Sequence, residues 1–553
     1  MISLIIHHNH FTLLSQERTS GDITNLAAIA RAVLIYKNPL IFDAEKMANI
    51  KGWAVPKYLP RLMLMAVPLK LSLDDASGYT QIPMGLLLKV QEYTALNNIQ
   101  ISVTDTTQRF VGASKEEKAL FGKDYIPIPS LREYQNEIVS KLASVRRAQA
   151  VSMTGSGKTI MMAALIKHFG IPTIILCHRV LLIHQWEAAI KSIIGENPHK
   201  LYGGKVYQGD EKTKIVIASF RSIGENAPES EKAILSRRVQ DPITHLTMTS
   251  LPASEDMLKE NKLEMLSKVG MDIRAINTSM VIVDEAHVAP AFNYYNIASS
   301  LSPSLLYGCT ATPDRKDGRT MFAEAIFTDR KFLTDYEDVK DYLTPLKYIT
   351  VLTPGYFDNS VVDKIGGESA MLDSEFLKIL TSDPIRMCGI IEIIKALYAL
   401  GKTAAIVCAN NLWLVDILAD AMTDLKIPFG IITGSIKQDD RVSIIKRTID
   451  RTNNIIIATT TMDEGIDIPN LDAILFPVPF TSKTVSIQRA GRVARKCAGK
   501  NVGMVIDFRD PLVAKAEIAF FSRRRHIVST FGVTRFTTIK PLNQIDIKKE
   551  LGD

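Results

Sequence analysis

One stretch restricts the fold more than any other. Val151-Ser152-Met153-Thr154-Gly155-Ser156-Gly157-Lys158-Thr159 follows a short apolar segment and precedes a helical run, Ile160 to His168. Glycines, a lysine and a hydroxyl between strand and helix make a loop suited to phosphate. The glycines let backbone N–H groups close on phosphate oxygens, and the helix N-terminus adds a favourable dipole. Thr154, Gly155, Ser156 and Gly157 form the cradle, Lys158 reaches the β- and γ-phosphates, and the Thr159 hydroxyl ligates Mg²⁺. Ser152 stands where the strict pattern has glycine; a Gly-rich turn is the bland alternative.

Val281-Ile282-Val283-Asp284-Glu285-Ala286-His287 strengthens that reading. Here an apolar strand ends in two adjacent carboxylates, which point to opposite sides and so serve different tasks. Asp284 is the candidate metal residue, holding Mg²⁺ through water. Glu285 is placed to orient and deprotonate an attacking water, and His287 is a candidate relay.

The 553 residues predict about three to four domains. From residue 130, β-branched apolar runs alternate with amphipathic stretches, as in Thr173-Ile174-Ile175-Leu176, Lys214-Ile215-Val216-Ile217, Ala404-Ala405-Ile406-Val407 and Asn454-Ile455-Ile456-Ile457. Such runs suit strands buried on both faces of a parallel sheet covered by helices. The expected division is an N-terminal unit at 1–125, an α/β domain at 126–332 with an insertion at 224–278, a linker with a small element at 333–384, and a second α/β domain with a C-terminal extension at 385–553. The N-terminal unit is expected to be small and α+β, built on a strand at Tyr79–Ile82, a helix from Gly85 to Asn97 and a strand from Ile99 to Val103. As a separate unit, it should be removable without loss of basal turnover. No apolar run reaches the roughly 18 residues needed to span a bilayer. Met1-Ile2-Ser3-Leu4 lacks a basic n-region, so a cytoplasmic chain without a signal peptide is expected. Five scattered cysteines read as reduced thiols. His7, His8 and His10 read as alternating along an edge strand rather than holding metal. The net charge of +7 is compatible with a polyanionic partner.

With Asp284-Glu285-Ala286-His287, the chain resembles the superfamily 2 DEAH-box helicases, and the remaining motifs of that family follow in order. Leu131-Arg132-Glu133-Tyr134-Gln135 resembles the adenine-reading element, through Arg132 and Gln135. Cys177-His178-Arg179, running on to Ile183-His184-Gln185-Trp186, resembles motif Ia. Ala218-Ser219-Phe220-Arg221-Ser222 resembles motif Ib, and Gly308-Cys309-Thr310-Ala311-Thr312-Pro313 resembles motif III. Ala458 to Pro469, including Thr459, Gly465 and Asp467, is similar to motif V, and Gln488-Arg489-Ala490-Gly491-Arg492-Val493-Ala494-Arg495 to motif VI. Arg315-Lys316-Asp317 and the Gly85–Val103 unit resemble the XPB-like and UvsW-like branch, with Lys316 where that branch has glutamate.

The resemblance implies two tandem RecA-like domains, ATP with Mg²⁺ as cofactor, and an ATP-dependent helicase or translocase acting 3'-5' on single-stranded and forked or branched DNA as a monomer. It further implies that Gln488, Arg492 and Arg495 meet the charge that builds on the γ-phosphoryl group. The implied strand contacts are His178, Arg179, Ser219, Phe220, Arg221, Thr310, Thr312, Asn410, Thr433, Gly434 and Thr459; the basic segment Ser522-Arg523-Arg524-Arg525-His526 would extend the track. An RNA helicase or transcript-release ATPase with the same motor is the alternative. A DNA-recognition module with a vestigial ATPase is disfavoured by the full set of charged residues, and a nuclease by the lack of its paired-carboxylate pattern.

Overall fold

The apolar runs become strands because a segment with no polar face must be covered on both sides. The computed structural model describes residues 2–6, 10–15, 24–29, 32, 35–37, 62–64, 69–72, 77–83, 86–105, 124–223, 238–240, 247–249, 280–290, 294, 298, 305–313, 320–328, 330–353, 373–463, 468–540 and 544–552. Chain contacts divide it into two compact units, broadly up to Leu333 and from Thr334.

The N-terminal strands are β1 (Ile2–Ile6), β2 (His10–Ser15), β3 (Ile35–Lys37), β4 (Leu62–Leu64), β5 (Leu69–Ser72), β6 (Ser77–Pro83) and β7 (Ile101–Asp105), with helix α1 (Leu87–Leu96). Five of them form a sheet in the order β5-β6-β2-β1-β7. The expected strand–helix–strand is present, but β6 and β7 are not neighbours: the crossover through α1 leaves β2 and β1 between them. His10 therefore opens an internal strand, not an edge; His7 and His8 lie outside the described residues.

The first α/β sheet comprises β8 (Arg147–Ser152), β9 (Thr173–Cys177), β10 (His199–Tyr202), β11 (Lys205–Tyr207), β12 (Ile215–Ser219), β15 (Met280–Asp284), β16 (Leu305–Thr310) and β17 (Lys331–Thr334). Its order is β11-β10-β12-β9-β15-β16-β8-β17. Pairings from β10 through β8 are parallel. Its helices include α2 (Glu133–Ala143), α3 (Lys158–Phe169), α4 (Val180–Ile193) and α5 (Thr320–Phe327). Within the insertion, β13 (Arg238–Gln240) and β14 (Thr247–Thr249) join β4 and β3 in a four-stranded sheet.

The N-terminal unit is not a separable appendage. One apolar cluster runs from Leu4, Leu13, Ile82 and Val90 to Ile174, Val283, Phe322, Ile326 and Phe327. Lys89 of α1 also pairs with Glu324 of α5 at 2.5 Å. Removal of 1–125 would strip cover from the first α/β domain, contrary to the expectation from sequence.

The second unit carries β18 (Leu346–Leu352), β19 (Ala404–Val407), β20 (Phe429–Ile432), β21 (Ile455–Ala458), β22 (Ala473–Phe476), β23 (Gly503–Arg509) and β24 (Arg535–Ile539). Its order is β20-β21-β19-β22-β23-β18-β24, all parallel. Helices α6 (Asp373–Thr381), α7 (Pro384–Ala399), α8 (Leu412–Asp424), α9 (Gln438–Ile449), α10 (Lys483–Val493), α11 (Ala514–Phe531) and α12 (Gln544–Gly552) complete it. The expected linker at 333–384 thus contains β18, an internal strand of this sheet. Its β-branched run Ile349-Thr350-Val351 carried that signal. The architecture is α/β with two parallel-sheet domains of RecA-like type.

Candidate ATP and nucleic-acid site

The phosphate loop leaves β8 and enters α3 through two glycines in the left-handed region, Gly155 (φ 89°) and Gly157 (φ 84°). Gly157 caps α3, and a Cβ there would collide with Gln135 Nε2. The adenine-reading candidate is thereby placed against the loop. Gln135 Oε1 also accepts from Arg132 N at 3.0 Å, and the Arg132 guanidinium donates to Tyr134 Oη at 3.1 Å. Lys158 Nζ donates to Ser152 O at 3.1 Å. Thr154, Ser156 and Thr159 lie in the same loop and first helical turn.

Asp284 ends β15, separated from β8 by β16. Its carboxylate is buried and accepts from Trp186 Nε1 (2.8 Å) on Oδ2, and from Glu285 N (2.9 Å) and Cys309 Sγ (3.3 Å) on Oδ1. Burial pushes this carboxyl up and the Glu285 charge adds to that, while the Trp186 and Cys309 bonds and Lys158 act the other way. Glu285 adopts the left-handed backbone (φ 50°, ψ 56°), a strained choice for a non-glycine residue. Burial drives its carboxyl up as well, but the His287 hydrogen bond and the Lys158 charge outweigh that and hold it below the usual range. His287 Nδ1 lies 3.2 Å from Glu285 Oε2 and 3.0 Å from Thr310 Oγ1. Gly308 is required under this turn, since a Cβ would press on Ala286 Cβ at 2.7 Å. A carboxylate offers about four acceptor directions. Three are taken at Asp284, and the remaining one, with the positive-φ loop and Lys158, fits a magnesium-bound triphosphate.

The other candidates divide. Arg179 and Arg221 are exposed and His178 half-buried. Phe220 is wholly buried and stacks on Tyr294 with centroids 4.5 Å apart, so its ring is closed to a strand. Ser219 Oγ bonds Ser222 Oγ at 2.8 Å. Thr310 is buried, with its hydroxyl engaged by His287 and by Thr312 N at 3.2 Å; Thr312 is buried too. The Thr310 hydroxyl thus links motifs II and III internally, while Thr312 joins it through its backbone. In the second unit, the ends of β19, β20 and β21 bring four candidates together. Asn410 Oδ1 accepts from Thr460 Oγ1 at 2.7 Å, Thr459 N donates to Ile432 O at 3.1 Å, and Thr433 Oγ1 bonds Ser435 Oγ at 2.9 Å beside exposed Gly434. Gly465 and Asp467 lie outside the described residues.

Gln488 and Arg492 are buried on α10, and Arg495 follows its end, where its carbonyl accepts from Thr344 Oγ1 (3.1 Å) and Lys500 Nζ (3.2 Å). Arg523 of the basic segment faces inward, wholly buried, bonding Asp507 (2.7 and 3.0 Å) and Phe480 O (3.0 Å). It cannot extend a basic track. No sequence signal distinguished it from its neighbours. Trp186 was visible inside motif Ia but had no assigned partner.

The fold is that of a two-domain α/β core with a glycine-rich loop entering a helix and two carboxylates at the end of strand β15. Residues 128–315 match the family model described as type III restriction enzyme, res subunit, and 389–497 match the helicase conserved C-terminal domain. These two stretches are similar to the two halves of a superfamily 2 helicase core, the motor of a class of ATP-dependent enzymes.

Its similarities are of low identity. A protein provisionally designated helicase 22 of Sulfolobus islandicus filamentous virus is 29% identical over 45% of this chain and 44% of its own length. The "General transcription and DNA repair factor IIH helicase/translocase subunit XPB" of Antonospora locustae is 22% identical over 72% of this chain and 53% of its own. The "DNA 3'-5' translocase XPB2" of Sulfurisphaera tokodaii is 22% identical over 68% and 82%. The chain thus spans about half the length of the first two relatives. A Saccharomyces cerevisiae Dbp5 variant bound to RNA and ADP BeF3 shares the fold, with a TM-score of 0.51 at 13% identity, over 78% of this chain and 99% of that one. No helix among the described residues is long and apolar enough to cross a membrane.

Proposed function

We propose that the chain is an ATP-dependent DNA helicase or translocase of the DEAH type, in the XPB-like and UvsW-like branch, moving 3'-5' and remodelling forked or branched DNA. The observation that carries the reading is the Asp284–Glu285 pair at the end of β15, held by Trp186, Cys309 and His287 within the electrostatic reach of Lys158. Bound ATP with Mg²⁺ supplies the phosphoanhydride whose cleavage drives movement. Lys158, Thr159 and the loop N–H groups would hold the phosphates, Gln135 and Arg132 would read the base, and Thr159 and Asp284 would hold the Mg²⁺ ion, which would supply positive charge to the phosphate oxygens. Glu285, its carboxyl kept below the usual range, stays ionised near neutral pH and accepts the proton of the attacking water. Arg492 and Arg495, with Gln488, neutralise charge developing on the γ-phosphoryl oxygens. His178, Arg179, Arg221, Asn410 and Gly434 contact strand phosphates, which makes binding sequence-tolerant and salt-sensitive.

Names of relatives that act on DNA support DNA over RNA as substrate. The test is ATP-dependent unwinding of a panel of forks, three-way and four-way junctions and tailed duplexes, in DNA and in RNA. Unwinding of DNA forks above tailed duplexes is expected. Failure on every DNA substrate with activity on RNA would replace the reading by the RNA one.

A further inference from the structure

Asp284 is gripped by a donor that none of the catalytic roles uses. Trp186 is wholly buried, and its Nε1–H reaches Asp284 Oδ2 at 2.8 Å across 98 positions of sequence. An indole N–H can only donate, and a buried indole characteristically finds an acceptor. With Trp186 on one oxygen and Cys309 with Glu285 N on the other, the carboxylate cannot rotate without breaking buried hydrogen bonds.

Trp186 also sits on a stiff element. It lies in the second turn of α4, about 9 Å along the axis from Val180 at a helical rise of 1.5 Å per residue. Ile183 and Ile190, one turn to either side on the same face, are fully buried. The helix begins directly after His178 and Arg179, the candidate strand contacts. A displacement of that loop therefore carries the indole with it.

We infer that Trp186 is a positioning residue: its indole fixes the rotamer of the metal-holding Asp284 and, through α4, ties metal binding to strand contact at His178 and Arg179. This rests on the ATPase reading above. Trp186→Phe keeps an aromatic ring but removes the donor. With the variant folded by circular dichroism, Mn²⁺ affinity, read by electron paramagnetic resonance with a non-hydrolysable ATP analogue, is expected to fall about tenfold, the scale of one hydrogen bond to a charged group. Nucleotide affinity in EDTA should be unchanged, and stimulation of ATP turnover by single-stranded DNA at saturating metal should drop. Metal affinity and stimulation equal to those of the parent protein would overturn the inference. A second measurement needs no variant at Trp186. In the parent, the ¹⁵N-indole signal of Trp186, assigned with Trp53→Phe and Trp413→Phe, should move when Mg²⁺ joins the nucleotide and again when single-stranded DNA is added. A signal indifferent to both also overturns it. If the parent itself neither binds nor hydrolyses ATP, it is the proposed function that fails.

Discussion

Replacing Asp507 by asparagine should cost the second domain about 3–5 kcal/mol, because it removes one partner of a buried ion pair and leaves the other charge uncompensated. Both residues are fully buried. Asp507 receives two bonds from the Arg523 guanidinium and one from Tyr348 Oη at 2.5 Å. Asparagine keeps the shape, but turns one acceptor oxygen into a donor that faces a guanidinium or a hydroxyl. The loss is a fifth or more of a stability in the usual range of about 5–15 kcal/mol. It also reaches α10, since the Phe480 ring lies between Arg523 (5.0 Å) and Arg489 of that helix (4.4 Å). The double change Asp507→Leu with Arg523→Met removes both charges of this pair and should recover part of the loss, the Tyr348 hydroxyl and the Phe480 carbonyl being left without their partners. Urea unfolding followed by circular dichroism gives all three values. A loss below about 1 kcal/mol for Asp507→Asn, the level of an exposed pair, would refute the reasoning.

Lys158→Ala or Glu285→Gln should abolish DNA-stimulated ATP hydrolysis while sparing DNA binding in a filter or anisotropy assay; full turnover in either would contradict the assigned roles. Deleting residues 1–125 should lower the unfolding temperature of the first domain or render it insoluble, because Phe322, Ile326 and Phe327 lose apolar cover worth about 1.5–3 kcal/mol per side chain; a truncated motor as stable as the full chain would refute that. Lys500 is pulled down from 10.5 to about 8, chiefly by burial. The unfolded chain then holds that proton to higher pH than the fold does. Stability should therefore rise between pH 8 and 10.5 by up to about 1.4 kcal/mol per unit, a slope that Lys500→Met should remove.

Legibility from sequence followed the range of the interaction that shapes each residue. The phosphate loop was readable because its glycines set their own dihedral angles and its lysine needs only its neighbours. The apolar runs of β9, β12, β15, β19 and β21 were readable because two-sided burial leaves no polar position in them. β18 was missed although its β-branched run Ile349-Thr350-Val351 was present, since Gly366-Gly367 downstream drew the whole stretch toward a linker. Phe220 and Arg523 were assigned outward from their motif or charge, and both point in: nothing within a few positions of Phe220 reports Tyr294, and nothing beside Arg523 reports which of three arginines meets Asp507.

The sequence by itself determined the chemical groups and their local frames: a phosphate cradle entering a helix, two carboxylates ending a strand, and the alternation that makes two parallel sheets. Only the tertiary structure decided what those groups touch. Trp186 and Cys309 reach Asp284 from α4 and β16, the N-terminal unit shares its apolar cluster with the first α/β domain, and β18 enters the second sheet between β23 and β24. Dihedral preference and burial periodicity act over a few residues, whereas hydrogen-bond partners and shared cores are chosen by packing between segments far apart in the chain.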